Sequence, residues 1–214
     1  MLRPLFAVAI PAAFLAGAAQ ASVIWTVGPT ASHHFSSIDQ AVNDSRVMDG
    51  HTIHVQGSGY INFDSGSKAL RFEPGYSPGI VDVFGQMFLR ANSTINFEIG
   101  GYSSGLSGGS PQFDQFIVTG NADLQGGIEI TLVGGFTPVL GDSWALIQAG
   151  GSITFSGVSI LPALGSGLSW NVQVVSGSGE FGPSGSSLVA TVVPTPGAAA
   201  LVALAGVLAS RRRR

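Results

Sequence analysis

Runs of strict apolar/polar alternation, each stopped by glycine, restrict this chain more than any other feature. Leu168, Trp170, Val172 and Val174 fall on one side of a period of two, and Ser169, Asn171 and Gln173 on the other. Ile95, Phe97 and Ile99 alternate with Asn96 and Glu98 in the same way, and Ile128, Ile130 and Leu132 with Glu129 and Thr131. A period of two is the signature of a β-strand with one buried face. Shorter strand candidates are Val23–Val27, Thr52–Val55, Val81–Phe84, Phe88–Leu89, Phe116–Thr119, Trp144–Gln148, Ile153–Phe155 and Leu188–Val193. Regular spacing of such strands with glycine at the junctions predicts a single all-β domain. Two architectures satisfy the pattern, a stacked β-solenoid (β-helix) and a two-sheet β-sandwich. A solenoid is expected to show a fixed repeat, yet the pairs beginning at Gly100, Gly108, Gly126, Gly134 and Gly150 are unevenly spaced. The alternation alone leaves both open.

One helix is expected. Within 35–47, Ile38, Ala41 and Val42 recur at helical spacing, and Ser36 or Ser37 is available as an N-cap. The Asp49-Gly50 turn then leads into the strand Thr52–Val55.

The 31 glycines carry no Gly-X-Y period, which excludes a collagen helix. With no cysteine in 214 residues, disulfides, thiolate metal sites and cysteine nucleophiles are excluded. Charge is distributed unequally. Five of the nine basic residues, Arg3 together with Arg211, Arg212, Arg213 and Arg214, lie at the ends. Between Ser22 and Thr195 only Arg46, Lys68, Arg71 and Arg90 face all twelve acidic residues, a net of −8. Such a domain offers no basic patch for phosphates, so no nucleic-acid partner is expected.

The strand, the short helix "FSSIDQAV" and "DGHTIHVQGSGY" together resemble the opening of right-handed parallel β-helix proteins, where a short amphipathic helix caps the solenoid. The central phrases "STINFEIGG" and "FDQFIVTGNADLQGGIEITLVGGFTPVLGDSWALIQAGG" resemble the β-strand repeats of autotransporter-type bacterial surface proteins. The matching positions are Phe113-Asp114, Gly120, Leu124–Leu132 and Gly135–Ile147. That resemblance implies an exported β domain and brings no catalytic residues with it.

Chemistry-bearing patterns are sparse, and a non-enzymatic protein with no cofactor and no resident metal is expected. Ser103 and Ser107 each sit in a G-x-S-x-G pattern, but a nucleophile elbow needs a following helix and a histidine later in the chain. The last histidine is His54. His51 and His54, three apart on a strand, point to opposite faces and cannot share an ion, so they are expected as exposed strand-end residues, with His33-His34 nearby. Glycoside hydrolysis needs two carboxylates about 5 to 9.5 Å apart. Asp82, Glu98, Asp114, Asp123, Glu129 and Asp142 are spread singly; clustering of Asp82, Glu98, Asp114 and Glu129 on one β-face would favour a polysaccharide-acting enzyme. No EF-hand loop is present; Asp114, Asn121 and Asp123 are at most weak calcium ligands beside turns. A carbohydrate-binding adhesin would expose Tyr60, Tyr76 or Tyr102 beside a groove. Trp25, Trp144 and Trp170 lie within apolar strands and are expected in the core.

Both ends read as addresses. Residues 1–21 have a basic start at Arg3, an apolar stretch from Leu5 to Leu15 and a small-x-small site at Ala19-Gln20-Ala21. This is the layout of a secretory signal that signal peptidase removes before Ser22, leaving an extracytoplasmic domain over 22–192. Residues 193–214 begin with Val193-Pro194-Thr195-Pro196-Gly197, continue through an apolar membrane helix expected over 197–210, and end in Arg211, Arg212, Arg213 and Arg214. As a helix the thirteen uncharged residues Ala198–Ser210 reach about 20 Å, short of a hydrocarbon core of about 30 Å. The four arginines would stay cytoplasmic as a stop. This three-part layout resembles a PEP-CTERM sorting signal of the PTPG variant, with Thr195 in place of the usual glutamate. The resemblance implies export, transient anchoring in the inner membrane, processing near Pro194–Pro196 by an exosortase-type membrane transpeptidase, and delivery to the cell surface or extracellular matrix. Extracellular polysaccharide is the partner class it implies for the β domain.

Overall fold

The computed structural model describes residues 22–75 and 78–196. The chain winds as a β-solenoid of about four turns, which decides between the two architectures left open above. One wall, sheet A, is a row of parallel strands: β1 (Ile24–Val27), β2 (Thr52–Val55), β4 (Arg71–Pro74), β6 (Thr94–Ile99), β9 (Gly127–Leu132) and β12 (Ser159–Ile160). The opposite wall, sheet B, is built from β3 (Tyr60–Asp64), β5 (Ile80–Leu89), β7 (Gln115–Val118), β8 (Ala122–Leu124), β10 (Ser143–Ala149) and β11 (Ile153–Phe155). It closes with β13 (Leu168–Ser176) and β14 (Ser186–Pro194). The register stacks like on like. Ile53 lies beside Phe72, Phe72 beside Ile95, and Ile95 beside Ile128, all fully buried. Phe63, Phe72, Phe97 and Phe116 bridge the two walls edge to face, with ring centroids 4.9 to 6.2 Å apart.

Turn length varies, which is why no fixed repeat is visible in the sequence. Thr52 pairs with Arg71 after 19 residues, Phe72 with Ile95 after 23, Ile95 with Ile128 after 33 and Ile128 with Ser159 after 31. Most of the difference falls at one corner, where the chain passes from sheet A to sheet B. Those connections are 56–59, 75–79, 100–114 and 133–142. The return corner stays short and tight. A Cβ on Gly126 would lie 2.3 Å from the Ser93 carbonyl oxygen and 2.5 Å from that of Arg90, so only glycine lets the rungs approach there. Within sheet B the strand candidates Val81–Phe84 and Phe88–Leu89 are one strand, β5, bent at Gly85 with φ +125°.

Both ends of the solenoid depart from the parallel pattern. At the start, α1 (Ile38–Asn43) packs on β3 and β1 and buries Ile38, Ala41 and Val42 over the open end of the core. Ser37 is its N-cap, its hydroxyl accepting from the Gln40 amide at 3.2 Å. Six residues cannot hold a helix alone, so tertiary packing holds this one. At the far end β14 runs antiparallel to β10, where a further parallel rung would lie, and β13 pairs antiparallel with β14 over nine residues. No helix among the described residues is long and apolar enough to cross a membrane. The expected membrane helix over 197–210 therefore has no support in the described part of the chain. The residues that would form it lie outside that part, as do the stop residues Arg211, Arg212, Arg213 and Arg214. The expected signal peptide, with Ala19 and Ala21 at its cleavage site, lies outside the described residues as well.

Candidate functional site

The corner with the variable loops carries Tyr102, Ser103, Ser107, Asp114 and Asp142. Its first feature is an aromatic platform. The 100–114 loop carries Tyr102, which is 57% exposed. Its ring lies nearly parallel to that of Trp144 (9° between planes, 6.1 Å between centroids), and Phe136 meets both edge-on. Trp144 opens β10, is buried, and donates its indole N–H to the Gly101 carbonyl at 2.8 Å. The Tyr102 hydroxyl donates to Asp142 Oδ2 at 2.9 Å, and the Val139 amide donates to the same oxygen at 2.7 Å. Tyr102 is thus fixed from behind and at its tip, with Val139 and Leu140 exposed in the neighbouring loop. A cleft of about 530 Å³ lies elsewhere, between the start of α1 and β3. Of the other tyrosines considered as sugar platforms, Tyr60 is buried and Tyr76 lies outside the described residues. Trp25 and Trp170 are partly buried, packed against the core.

A polar ladder on sheet A is the second feature. His54 Nε2 and Glu73 Oε2 are 2.5 Å apart, and Arg71 links Glu73 (2.9 Å) to Glu129 two rungs on. The Glu73 contact raises the His54 pKa, and the imidazole in turn holds the Glu73 carboxyl below its usual range. Thr131 donates to Asn96 at 2.8 Å. In the corner beside this ladder Asp114 is 1% exposed, accepting from the Gly79 amide at 2.6 Å and the Glu98 amide at 2.8 Å. Burial outweighs those two donors and pushes its carboxyl up to about 7. Glu98, Asp114 and Glu129 therefore belong to sheet A and its corner, whereas Asp82 stands on β5 of sheet B, raised by burial alone. Both Asp114 oxygens accept from backbone amides, and Glu129 is engaged by Arg71.

The remaining residues singled out in the sequence are kept apart. His51 is buried rather than exposed. Its Nδ1 accepts from the Trp25 indole at 2.9 Å and the Met48 amide at 3.2 Å, because β1 lays Trp25 over the start of β2. His33 contacts Gln56 (2.7 Å) and His34 contacts Thr26 (2.9 Å). Among the described residues no three His, Asp or Glu side chains are grouped to hold a metal ion. Ser103 and Ser107 lie in the 100–114 loop, which is followed by β7 rather than a helix. Asp123 accepts from Thr154 and Asn121 from Ser152, rung-to-rung contacts that tie sheet B together.

At the C-terminal side, Val193 and Pro194 are the last residues of β14 and pair with Ser169 and Leu168. The Thr195 amide donates to the Gly167 carbonyl at 2.9 Å. β14 thus continues past residue 192 and takes in Val193 and Pro194. Pro196 is the last described residue, and Ser22, exposed, is the first. No family model matches this chain, and no curated protein matches it.

Proposed function

We propose that this chain is an exported, non-enzymatic cell-surface or extracellular-matrix protein, sorted and processed through its C-terminal segment. Signal peptidase would remove residues 1–21. An exosortase-type membrane transpeptidase would then act near Val193-Pro194-Thr195-Pro196-Gly197, while Arg211, Arg212, Arg213 and Arg214 hold the cytoplasmic side. The observation that carries this reading is the join between domain and motif. The final strand ends at Pro194 and its last backbone bond is made by Thr195, so the folded domain adjoins the processing segment without a linker. A cut just beyond that point removes the tail and leaves every strand in place. Mass spectrometry of the protein from its producing cells tests it. The expected mature chain starts at Ser22 and ends near Pro194 to Pro196; recovery from the cytosol with Met1 and Arg214 intact would sink the reading.

A second reading, carbohydrate binding, draws on the Tyr102 platform. The apolar C–H face of a pyranose stacks on an exposed aromatic ring, and a ring fixed beforehand loses little entropy on binding. The ligand would be extracellular polysaccharide. Tyr102→Ala is expected to abolish co-sedimentation with the producing cell's own polysaccharide, with Leu106→Ala as the neutral control. Equal retention of both variants would remove the reading.

A further inference from the structure

The solenoid has several strand edges, and one of them stands apart. β1, β11 and β12 are edges of four, three and two residues, and β3 is covered by α1. β13 is the terminal strand of sheet B, nine residues long, and among the described residues no strand pairs with its outer side. An open edge is a row of unpaired amide and carbonyl groups, and proteins usually guard one with charge, proline or a bulge. From Leu168 to Ser176 there is no charged residue and no proline, and the pairing with β14 is unbroken by any bulge.

The sequence of this edge is also complementary to itself. We propose that β13 pairs antiparallel with β13 of a second copy, about a two-fold axis through Val172. Val172 is the midpoint of Leu168–Ser176, so this register overlaps the whole strand. It sets Trp170 of one copy against Val174 of the other, and Asn171 against Gln173. Over the five central residues apolar side chains meet apolar ones on one face and amides capable of mutual hydrogen bonding meet on the other, while the outer pairs, Leu168 with Ser176 and Ser169 with Val175, are mixed. Leu168, Trp170, Val172 and Val174 are only partly buried within their own chain, so the second copy covers apolar surface that one chain leaves open. The contact is isologous and closes at two copies. The joined sheets would run from β3 of one molecule to β3 of the other. A single strand pair is a small interface, so the dimer is concentration-dependent.

The absence of cysteine makes the test direct. The full chain carrying Val172→Cys has one thiol, which the axis places opposite its twin, and mild oxidation is expected to give a disulfide-linked dimer. Ser107→Cys, exposed on the 100–114 loop, is expected to stay monomeric under the same conditions. A mixture of Asn171→Cys and Gln173→Cys chains is expected to form the mixed dimer in preference to either like pair; this second arm does not depend on a substitution in the apolar face. Gln173→Lys is expected to reduce the mass measured by sedimentation from two chains to one. Folded Val172→Cys protein that keeps its free thiol, or equal cross-linking of Ser107→Cys, would overturn the proposal. So would open-ended polymers unaffected by Gln173→Lys, which would point to pairing through β1 and β12 instead.

Discussion

Two residues show how closely this fold is specified by backbone contact and burial. A Cβ on Gly126 would collide with the Ser93 and Arg90 carbonyl oxygens, whereas one on Gly165 would meet nothing within 4 Å. Gly126→Ala is therefore expected to cost about 1–3 kcal/mol through overpacking, and Gly165→Ala to be close to neutral. Urea unfolding midpoints measure both. Asp114 carries the second prediction. Its carboxyl titrates at 3.8 when unfolded and is pushed up to about 7 in the folded corner. Between those values the folded state holds a proton that the unfolded chain has released. Stability contributed here is full below 3.8, falls as pH rises through the window, and levels off above about 7. The His54–Glu73 pair weakens in the same direction once the imidazole loses its proton, so the diagnostic is a difference. Asp114→Asn is expected to flatten the slope between about pH 4 and 7 relative to the parent; an unchanged slope would assign it to His54.

At the level of elements, α1 is an end cap rather than part of a repeating unit. Ile38→Ala is expected to cost about 2–5 kcal/mol, because its side chain is buried against the first rung. Ser37→Ala removes only the N-cap and is expected to cost about 1 kcal/mol. If the two costs proved equal by thermal unfolding, the helix would not be sealing the core. This cap was legible in the sequence because Ile38, Ala41 and Val42 keep helical spacing beside a serine. β2, β6, β9, β11 and β13 were legible as short apolar or alternating runs. β3 was not, since Asn62 adopts φ +59° and the register slips between Ile61 and Phe63, which breaks the period of two. β4 has one core phenylalanine between charged neighbours and becomes a strand because β2 and β6 flank it. Asp114 and the Tyr102–Asp142–Trp144 platform were hidden for a different reason. Their parts meet only through rung stacking, 40 residues apart in the case of Tyr102 and Asp142.

As a whole molecule the chain behaves as a stack in which each rung contacts mainly its neighbours. Amide hydrogen exchange is expected to be slowest in β5, β6 and β7, which have a rung on either side, and fastest in β1 and β12 at the ends of sheet A. Uniform protection from end to end would mean that the stack opens as one unit.

The uneven corner has a consequence beyond hiding the repeat. Connections of very different length, from 56–59 to 100–114, leave sheet A and still deliver the chain to sheet B in register. Each doubling of such a loop costs only about 0.6 kcal/mol in closure entropy. The return connections, 65–70, 90–93, 125–126 and 156–158, span a narrower range, and the shortest holds Gly126 against the Ser93 and Arg90 carbonyls. The molecule thus divides inheritance from invention: three sides keep the stacking, and the fourth is free to lengthen, shorten or acquire new side chains while the stack beneath it stays still.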